Sequence, residues 1–393
     1  MVKQYLAHKF RLKPTKEEAA TLVSWSGINR FLWNHFLEQN QSKYENEKKF
    51  IFYNEMAISI PGLKKLHDFL KEPPSQSLQS TCKRLEDAIK RVFKGNNGFP
   101  KFKSKKRGDL PSILIPQSNT TIQWNKNKIK IPKLGWVKWS KHRPLAGKLM
   151  SMNIKYEGGY WWCVVLCESN KPIRTTGDDV VGIDLGLKDW IVTSDGEVFN
   201  LHPSLIEREE KVKKEQRKLS KKTKGSNNRL KQKKKLQKAH LKVRFARNDN
   251  AHKASAAIAK QYVCVAVEDL NIKGMMKNHC LARSVARSAW GQFVTFLGYK
   301  TLVKKVDRWY PSSKTCSRCG SIKPMPLSIR TYECSSCGLV LDRDLNAAIN
   351  IRDNTFGTKE IYACGDTPIG DSAQAGSRYV SKKQEKFKAS SVS

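Results

Sequence analysis

Three short acidic stretches hold the groups in this chain best suited to chemistry: Gly182-Ile-Asp184-Leu-Gly186, Val267-Glu268-Asp269-Leu270 and Asp342-Arg-Asp344-Leu-Asn346-Ala-Ala348. Carboxylates are hard oxygen donors, and several of them converging can hold divalent cations against a phosphodiester. In such a site two ions stand ~3.5–4 Å apart, one activating water and the other steadying the leaving oxygen. Asp184 closes the apolar run Val180-Val-Gly-Ile, and Glu268 closes Tyr262-Val-Cys-Val-Ala-Val267. Both runs suit buried strands, and ligand sites gather at the carboxyl ends of such strands. Asp344 opens a helix over Leu345 to Ile351. Each acid also has a bland reading: Asp184 as a turn residue, Glu268 as a surface carboxylate, Asp344 as a helix cap. Three in this order, on a very basic chain, favour the ligand reading. Asp342 competes with Asp344 for the third place, and the helix-opening position favours Asp344. Asp269 follows Glu268 along a strand and should point the other way.

A second constellation is made of thiols. Cys316-x-x-Cys319 and Cys334-x-x-Cys337 are two matched knuckles, each followed at once by a glycine, Gly320 or Gly338. Four thiolates at this spacing complete a tetrahedral shell for one structural Zn2+, with no open position for catalysis. A redox role would need one reactive pair. The remaining cysteines (Cys82, Cys163, Cys167, Cys264, Cys280 and Cys364) are scattered, which fits a reducing cytosol.

The partner follows from charge. The 393 residues carry 74 Lys+Arg against 35 Asp+Glu, a formal net charge of +39. Self-repulsion on that scale is tolerable when the partner is a polyanion. No apolar run approaches the ~18 residues of a spanning helix, and Met1-Val-Lys-Gln runs straight into a strand pattern rather than a signal peptide. Nucleic acid is favoured over a membrane surface.

These groups need a scaffold. Residues 3–12 alternate as a strand; then Leu22, Trp25, Ile28, Leu32, Trp33 and Phe36 recur at helical steps, with Trp33 read as core. A further helix should begin at Ser75 after Pro73-Pro74, with Leu78, Leu85, Ala88, Ile89 and Val92 inward and Gln76, Gln79, Lys83 and Arg84 outward. Lys101 to Arg107 is a basic loop carrying Lys101 and Lys103. Strand patterns at 113–115, 121–124, 128–131, 137–139, 150–156 and 161–168 predict a small antiparallel barrel with the helices inserted after its first strand. The second half reads as a β-β-β-α-β-α-β order followed by the thiol insertion and a last helix, the order of an RNase H-like domain. Within it, residues 211–244 hold sixteen Lys/Arg and one acid, Glu215, broken at Gly225-Ser-Asn-Asn228. This predicts a helical hairpin whose one-signed charge contacts a nucleic-acid backbone through residues such as Lys221, Lys222 and Lys234. Leu281, Val285, Ala289, Phe293 and Leu297 should share one helix face.

At this point the chain resembles the TnpB nucleases of bacterial and archaeal insertion sequences, relatives of the type V CRISPR effectors. The resemblance rests on the acidic stretches, Val267 to Gly274, Trp290-Gly291, Pro311-Ser-Ser-Lys-Thr-Cys-Ser-Arg-Cys-Gly320, Cys334-Ser-Ser-Cys-Gly338 and Asp342 to Asn350, with weaker echoes at Phe99-Pro-Lys-Phe102 and Ile115-Pro-Gln117. It implies an α/β multidomain fold: an RNase H-like (RuvC) nuclease domain with an inserted zinc ribbon, plus a β-barrel wedge domain with a helical recognition insertion. In that frame the wedge takes 1–13 and 109–175, the recognition lobe 14–108, RuvC 178–312 with the basic hairpin at 205–245, the ribbon 313–340, the final RuvC helix 341–365 and a basic disordered tail 366–393. The resemblance also implies an RNA-guided DNA endonuclease. It would carry a guide RNA from the transposon end, check a short adjacent motif in double-stranded DNA, form an R-loop, and cut both strands with one RuvC site. Asp184, Glu268 and Asp344 fall on the ligands of two Mg2+ ions, with Mn2+ able to substitute. The implied setting is the cytoplasm, at the nucleoid, with a transposase of the same element as a genetic neighbour only. Where the family shows Asp-Phe-Leu-His-Lys, this chain has Asp249-Asn-Ala-His252-Lys253, keeping the polar members His252 and Lys253. An RNase H-like transposase acting on transposon ends and a non-cleaving RNA-guided repressor are the competing readings.

Overall fold

The computed structural model describes residues 4–95, 98–105, 112–116, 123–145, 147–169, 179–326 and 328–357. The tail predicted at 366–393 lies outside the described residues, as do part of the strand predicted at 121–124 and the end of the basic loop at 106–107. The chain divides into two compact units, one of Met1–Pro172 with His202–Asn250, the other of Ile173–Leu201 with Ala251–Ser393.

The first unit begins with β1 (Gln4–Lys13). Thr15 then caps α1 (Lys16–Glu47): its hydroxyl accepts from the Glu18 N–H while the Glu18 carboxylate accepts from the Thr15 N–H, a reciprocal capping box. Leu22, Trp25, Ile28, Leu32, Trp33 and Phe36 are all buried along α1. Helices α2 (Tyr53–Leu66) and α3 (Ser75–Phe93) follow, α3 opening directly after the two prolines. Strands β2 (Ser112–Pro116), β3 (Lys128–Ile131), β4 (Gly135–Ser140), β5 (Lys148–Glu157) and β6 (Tyr160–Ser169) complete an antiparallel sheet with β1, in the order β2-β5-β6-β1-β4-β3. Alternation places Trp161, Cys163, Val165 and Cys167 of β6 on the inner face. That face and helices α1 to α3 share one core. Among the described residues β2 and β3 end the sheet without pairing to each other. Of the predicted 121–124 strand, Trp124 keeps one bridge to Ile129.

The basic hairpin is α4 (Ser204–Ser220) and α5 (Asn227–Gln261). The sequence order groups it with residues 178–312, but its contacts group residues 202–250 with the first unit. Those contacts are long-range: Leu241 presses on Gly158, Phe245 meets the Trp162 ring edge-on at 5.5 Å, and Arg244 pairs with Glu157. Lys9 from β1 reaches the other oxygen of Glu157 at 2.9 Å. Both cations hold the Glu157 carboxyl down at about 2, the Arg244 hydrogen bond contributing most.

The second unit is built on a five-stranded sheet. Its strands are β7 (Val180–Asp184), β8 (Ile191–Thr193), β9 (Val198–Phe199), β10 (Cys264–Glu268) and β11 (Leu302–Val306), ordered β11-β10-β7-β8-β9. Strand β10 runs parallel to β7 and β11, while β7, β8 and β9 form an antiparallel meander. Between β10 and β11 come α6 (Ile272–Met275), α7 (Ala282–Ser288) and α8 (Trp290–Gly298); β12 (Thr331–Glu333), β13 (Val340–Asp342) and α9 (Arg343–Phe356) follow β11. One face of the sheet, through Val181, Ile183, Val265 and Val267, packs on Ala254, Ile258, Phe293 and Leu297. The other, through Cys264 and Ala266, packs on Ile351 and Phe356 of α9. Cover on both faces explains the unbroken apolar runs of β7 and β10. Gly182 is where α9 crosses most closely, since a Cβ there would stand 2.1 Å from the Ala348 carbonyl oxygen.

The single helix predicted over 281–297 is instead two. Ala289 turns left-handed at φ 51°, ending α7 and starting α8. At the break the Ser288 carbonyl accepts from the indole N–H of the remote Trp190 at 2.9 Å, while the Gln292 N–H donates to the Ala289 carbonyl. Leu281, just before α7, is exposed rather than on the buried face. No helix of the described residues is long and apolar enough to cross a membrane.

Candidate active site and four-thiolate centre

Strand parity brings the acids together. Val267 of β10 lies beside Ile183 of β7, so Glu268 and Asp184 occupy neighbouring strand ends. Asp184 has the parity of Gly182, and Glu268 that of Cys264 and Ala266, so both belong to the face that α9 covers. Asp344 enters from the first turn of α9. The carboxyl of Asp184 is pushed up to about 8, by burial first and then by the charges of Glu268 and Asp344. Burial also raises Glu268, against the pull of a hydrogen bond donated by the Ser312 hydroxyl. Burial raises Asp344 too, helped by Asp342 and Asp189 and opposed by Arg330, whose Nη1 lies 3.4 Å from Asp344 Oδ2. Burial thus holds all three carboxyls above their ordinary range, while their oxygens do not form a set that lies mutually within 4.8 Å.

The neighbours separate cleanly. Asp342 Oδ1 accepts from the Asp344 and Leu345 N–H groups at 2.9 and 3.1 Å, so Asp342, not Asp344, is the helix cap. Asp269 points elsewhere and pairs with Lys305 and Arg308 at 2.8 Å each, which lowers its carboxyl.

The four cysteines converge more tightly. One ligand atom from each of Cys316, Cys319, Cys334 and Cys337 lies within 4.8 Å of all the others, the one such set of three or more ligands among the described residues. Cys316 and Cys337 sulfurs are 3.6 Å apart, as are those of Cys319 and Cys334. Neither distance is a disulfide, and a tetrahedron with ~2.3 Å Zn–S bonds has edges of ~3.8 Å. Gly320 and Gly338 both take positive φ, 74° and 70°, letting each knuckle turn back. The N–H groups of Cys337 and Ser336 favour the Cys334 thiolate and bring its pKa to about 6. The donor set fits a closed structural metal.

Two buried asparagines stitch this centre to the acid-bearing helix. Asn346 donates to the Thr315 carbonyl at 2.8 Å and accepts from the Ser317 N–H at 3.0 Å. Asn350 donates to the carbonyls of Ser312 and Thr315. Their roles, like those of Ser312 and Arg330, depend on contacts across the fold. The buried pair did leave one trace in the sequence, a polar residue at every fourth position of an otherwise inward helix face.

The predicted nucleic-acid contacts are spread over both units. In the first, Gln79, Lys83 and Arg84 are exposed on α3 and Gln76 is half-buried; Lys83 pairs with Glu86 at 2.5 Å. Arg84 and Lys103 line one cavity of about 170 Å3 with Ser26, Asn29, Arg30, Thr81 and Ser112. Trp33 is core: its indole N–H donates to the Lys101 carbonyl at 3.2 Å, and Lys103 Nζ stands 3.4 Å above its ring. Lys101, Lys221, Lys222 and Lys234 are exposed. In the second unit, His252 and Lys253 are exposed, His252 stacking on Phe296 at 3.9 Å.

The chain is similar to known proteins. Residues 164–279 match the OrfB_IS605 family model, described as "Probable transposase"; residues 290–351 match "Cas12f1-like, TNB domain"; residues 1–49 match "Helix-turn-helix domain". Over that last stretch the structure has β1 and the single helix α1. A Streptomyces pristinaespiralis protein named "Putative RNA-guided DNA endonuclease" is 30% identical, over 98% of this chain and 97% of its own length. "Putative RNA-guided DNA endonuclease InsQ" of Escherichia coli K12 is 31% identical, over 93% of this chain and 95% of its own. The fold is similar to that of Cas12f1 in a Cas12f1-sgRNA-target DNA complex, with a TM-score of 0.50, 14% identity, and coverage of 90% of this chain and 99% of that one. With full-length relatives at this identity and the family's own model across its centre, the chain belongs to the TnpB family of IS605-type insertion sequences.

Proposed function

We propose that this protein is an RNA-guided DNA endonuclease whose cutting site is Asp184, Glu268 and Asp344. The observation that carries the reading is the placement of Asp184 and Glu268 at neighbouring strand ends, on the face that α9 covers and from whose first turn Asp344 projects, with the charges of Glu268 and Asp344 both raising the buried Asp184. The sheet order β11-β10-β7-β8-β9, with its meander and two parallel strands, supports an RNase H-like (RuvC) assignment. The names of the full-length relatives support guidance by RNA. The +39 charge, much of it on α4 and α5, supports holding a heteroduplex by its backbone while guide pairing reads sequence.

Asp184, Glu268 and Asp344 would hold two Mg2+ or Mn2+ ions, and the four cysteines one Zn2+. Bound Mg2+ supplies an acidified water and charge neutralisation at the leaving oxygen. The chain does the rest. The Ser312 hydroxyl orients Glu268; the Asp342 cap and the Asn346 and Asn350 bonds fix the turn from which Asp344 projects. Burial keeps the Asp184 proton on until a cation replaces it. The guide RNA would come from the transposon end, and the target would be double-stranded DNA opened next to a short motif.

The test is cleavage of a plasmid library by protein purified with its copurifying RNA. RNA from the gene's 3′ flank and linear products sharing one adjacent motif are expected. Asp184→Ala should keep nucleic-acid binding and cut at least about a hundredfold more slowly. Wild-type cutting by that variant, or RNA-independent joining of transposon ends, would replace this reading with another.

A further inference from the structure

Trp309 is 85% exposed, more than any other large apolar side chain among the described residues. It is not a loose residue. Its own N–H donates to Asp307 Oδ1 at 2.8 Å, and the Tyr310 N–H donates to the Asp307 carbonyl at 3.1 Å. On one side Arg308 grips Asp269, through Nη2 to Oδ2 at 2.8 Å and Nε to the carbonyl at 3.3 Å. On the other, the Ser312 hydroxyl donates to Glu268. The two ends of this short loop are thus clamped to consecutive residues at the end of β10, one of them a proposed metal ligand. A large indole is left in water by a turn whose two feet are held at Asp269 and Glu268.

We infer that Trp309 is a stacking platform for one unpaired base of the single strand that the acid cluster cuts. The inference rests on the endonuclease reading and assigns Trp309 a base contact within it. Bases inside a duplex stack on one another and offer only their edges; a free face exists only where a base is unstacked. An indole takes any base face, so the contact is independent of sequence, as a guide-directed cutter requires. A protein partner fits less well, because the flanking Asp307 and Arg308 are charged and the buried centre of a protein interface is depleted of charge. Stacking on Trp309 would hold the strand at a fixed offset from Glu268 and so position the phosphodiester without touching it.

The test uses the full chain with its copurifying RNA. In an Asp184→Ala background, binding of a non-complementary single-stranded oligonucleotide is compared for Trp309, W309A and W309F. W309A should raise Kd about tenfold, W309F should restore most of the affinity, and duplex binding should not change. With Asp184 intact, W309A should raise KM for single-stranded substrate and leave kcat nearly unaltered. An abasic nucleotide next to the cut should erase the difference between W309A and the parent. Equal Kd for all three proteins, equal loss in W309A and W309F, or a loss shared with duplex would each overturn the inference. So would a fall in zinc content or melting temperature in both variants, which would make the indole structural. If the parent does not cut at all, the endonuclease reading fails, and the binding comparison still decides whether Trp309 stacks bases.

Discussion

The second unit holds two metal-suited constellations built on opposite plans. The thiolate centre comes from two local knuckles, and its four sulfurs already lie within 4.8 Å of one another. The acid cluster draws on β7, β10 and α9, and burial keeps all three carboxyls above their ordinary range, the charges of Glu268 and Asp344 adding to it for Asp184. One is a closed shell that fits its metal before meeting it. The other is a set of buried carboxyls whose ionised forms a cation would favour. A structural metal has no use for an open position, whereas a catalytic one needs room for substrate. The asparagine bonds from α9 to the carbonyls of Ser312 and Thr315 make the second depend on the first.

The strongest way to break this contrast is to remove the closed shell. Cys334→Ser should drop bound zinc from about one per chain to none, lower the melting temperature, and abolish cleavage by releasing the turn that carries Asp344. Full cleavage in a zinc-free protein would show the two centres to be independent. Next comes pH. Asp184 titrates near 3.8 unfolded and at about 8 folded. Its contribution to stability is therefore fully present below pH ~4 and is lost as pH rises towards 8. Without divalent ions the melting temperature should fall over that window. Mg2+ should restore it, more at pH 8 than at pH 5, and Asp184→Asn should remove both effects. A pH-independent Mg2+ shift would contradict this. The smallest effect sharpens the contrast. Ser312→Ala leaves Glu268 without its donor and should weaken Mg2+ activation roughly tenfold while leaving zinc content unchanged; a titration of cleavage rate against Mg2+ reads this directly.

The same contrast explains what could be read in advance. The thiol knuckles are local, so spacing alone located all four ligands. The apolar runs of β7 and β10 and the helical steps of α1 and α3 were legible because burial imposes its period on sequence. Asp342 and Asp344 differ only in which accepts the first N–H groups of α9, and sequence gave the cap to the wrong one. Beside the break at Ala289, Ser288 is bonded by an indole 98 residues away from it, a contact with no local signature. Ser312 and Arg330 likewise acquire their roles from partners 44 and 14 residues distant.

The central claim is that Asp184, Glu268 and Asp344 share divalent cations. Anomalous diffraction from crystals of the RNA-loaded protein soaked in Mn2+ tests it most directly. Two peaks ~3.5–4 Å apart, bonded to oxygens of all three residues, are the expected result. Mn2+ bound only elsewhere, with these carboxylates bare, would contradict the account.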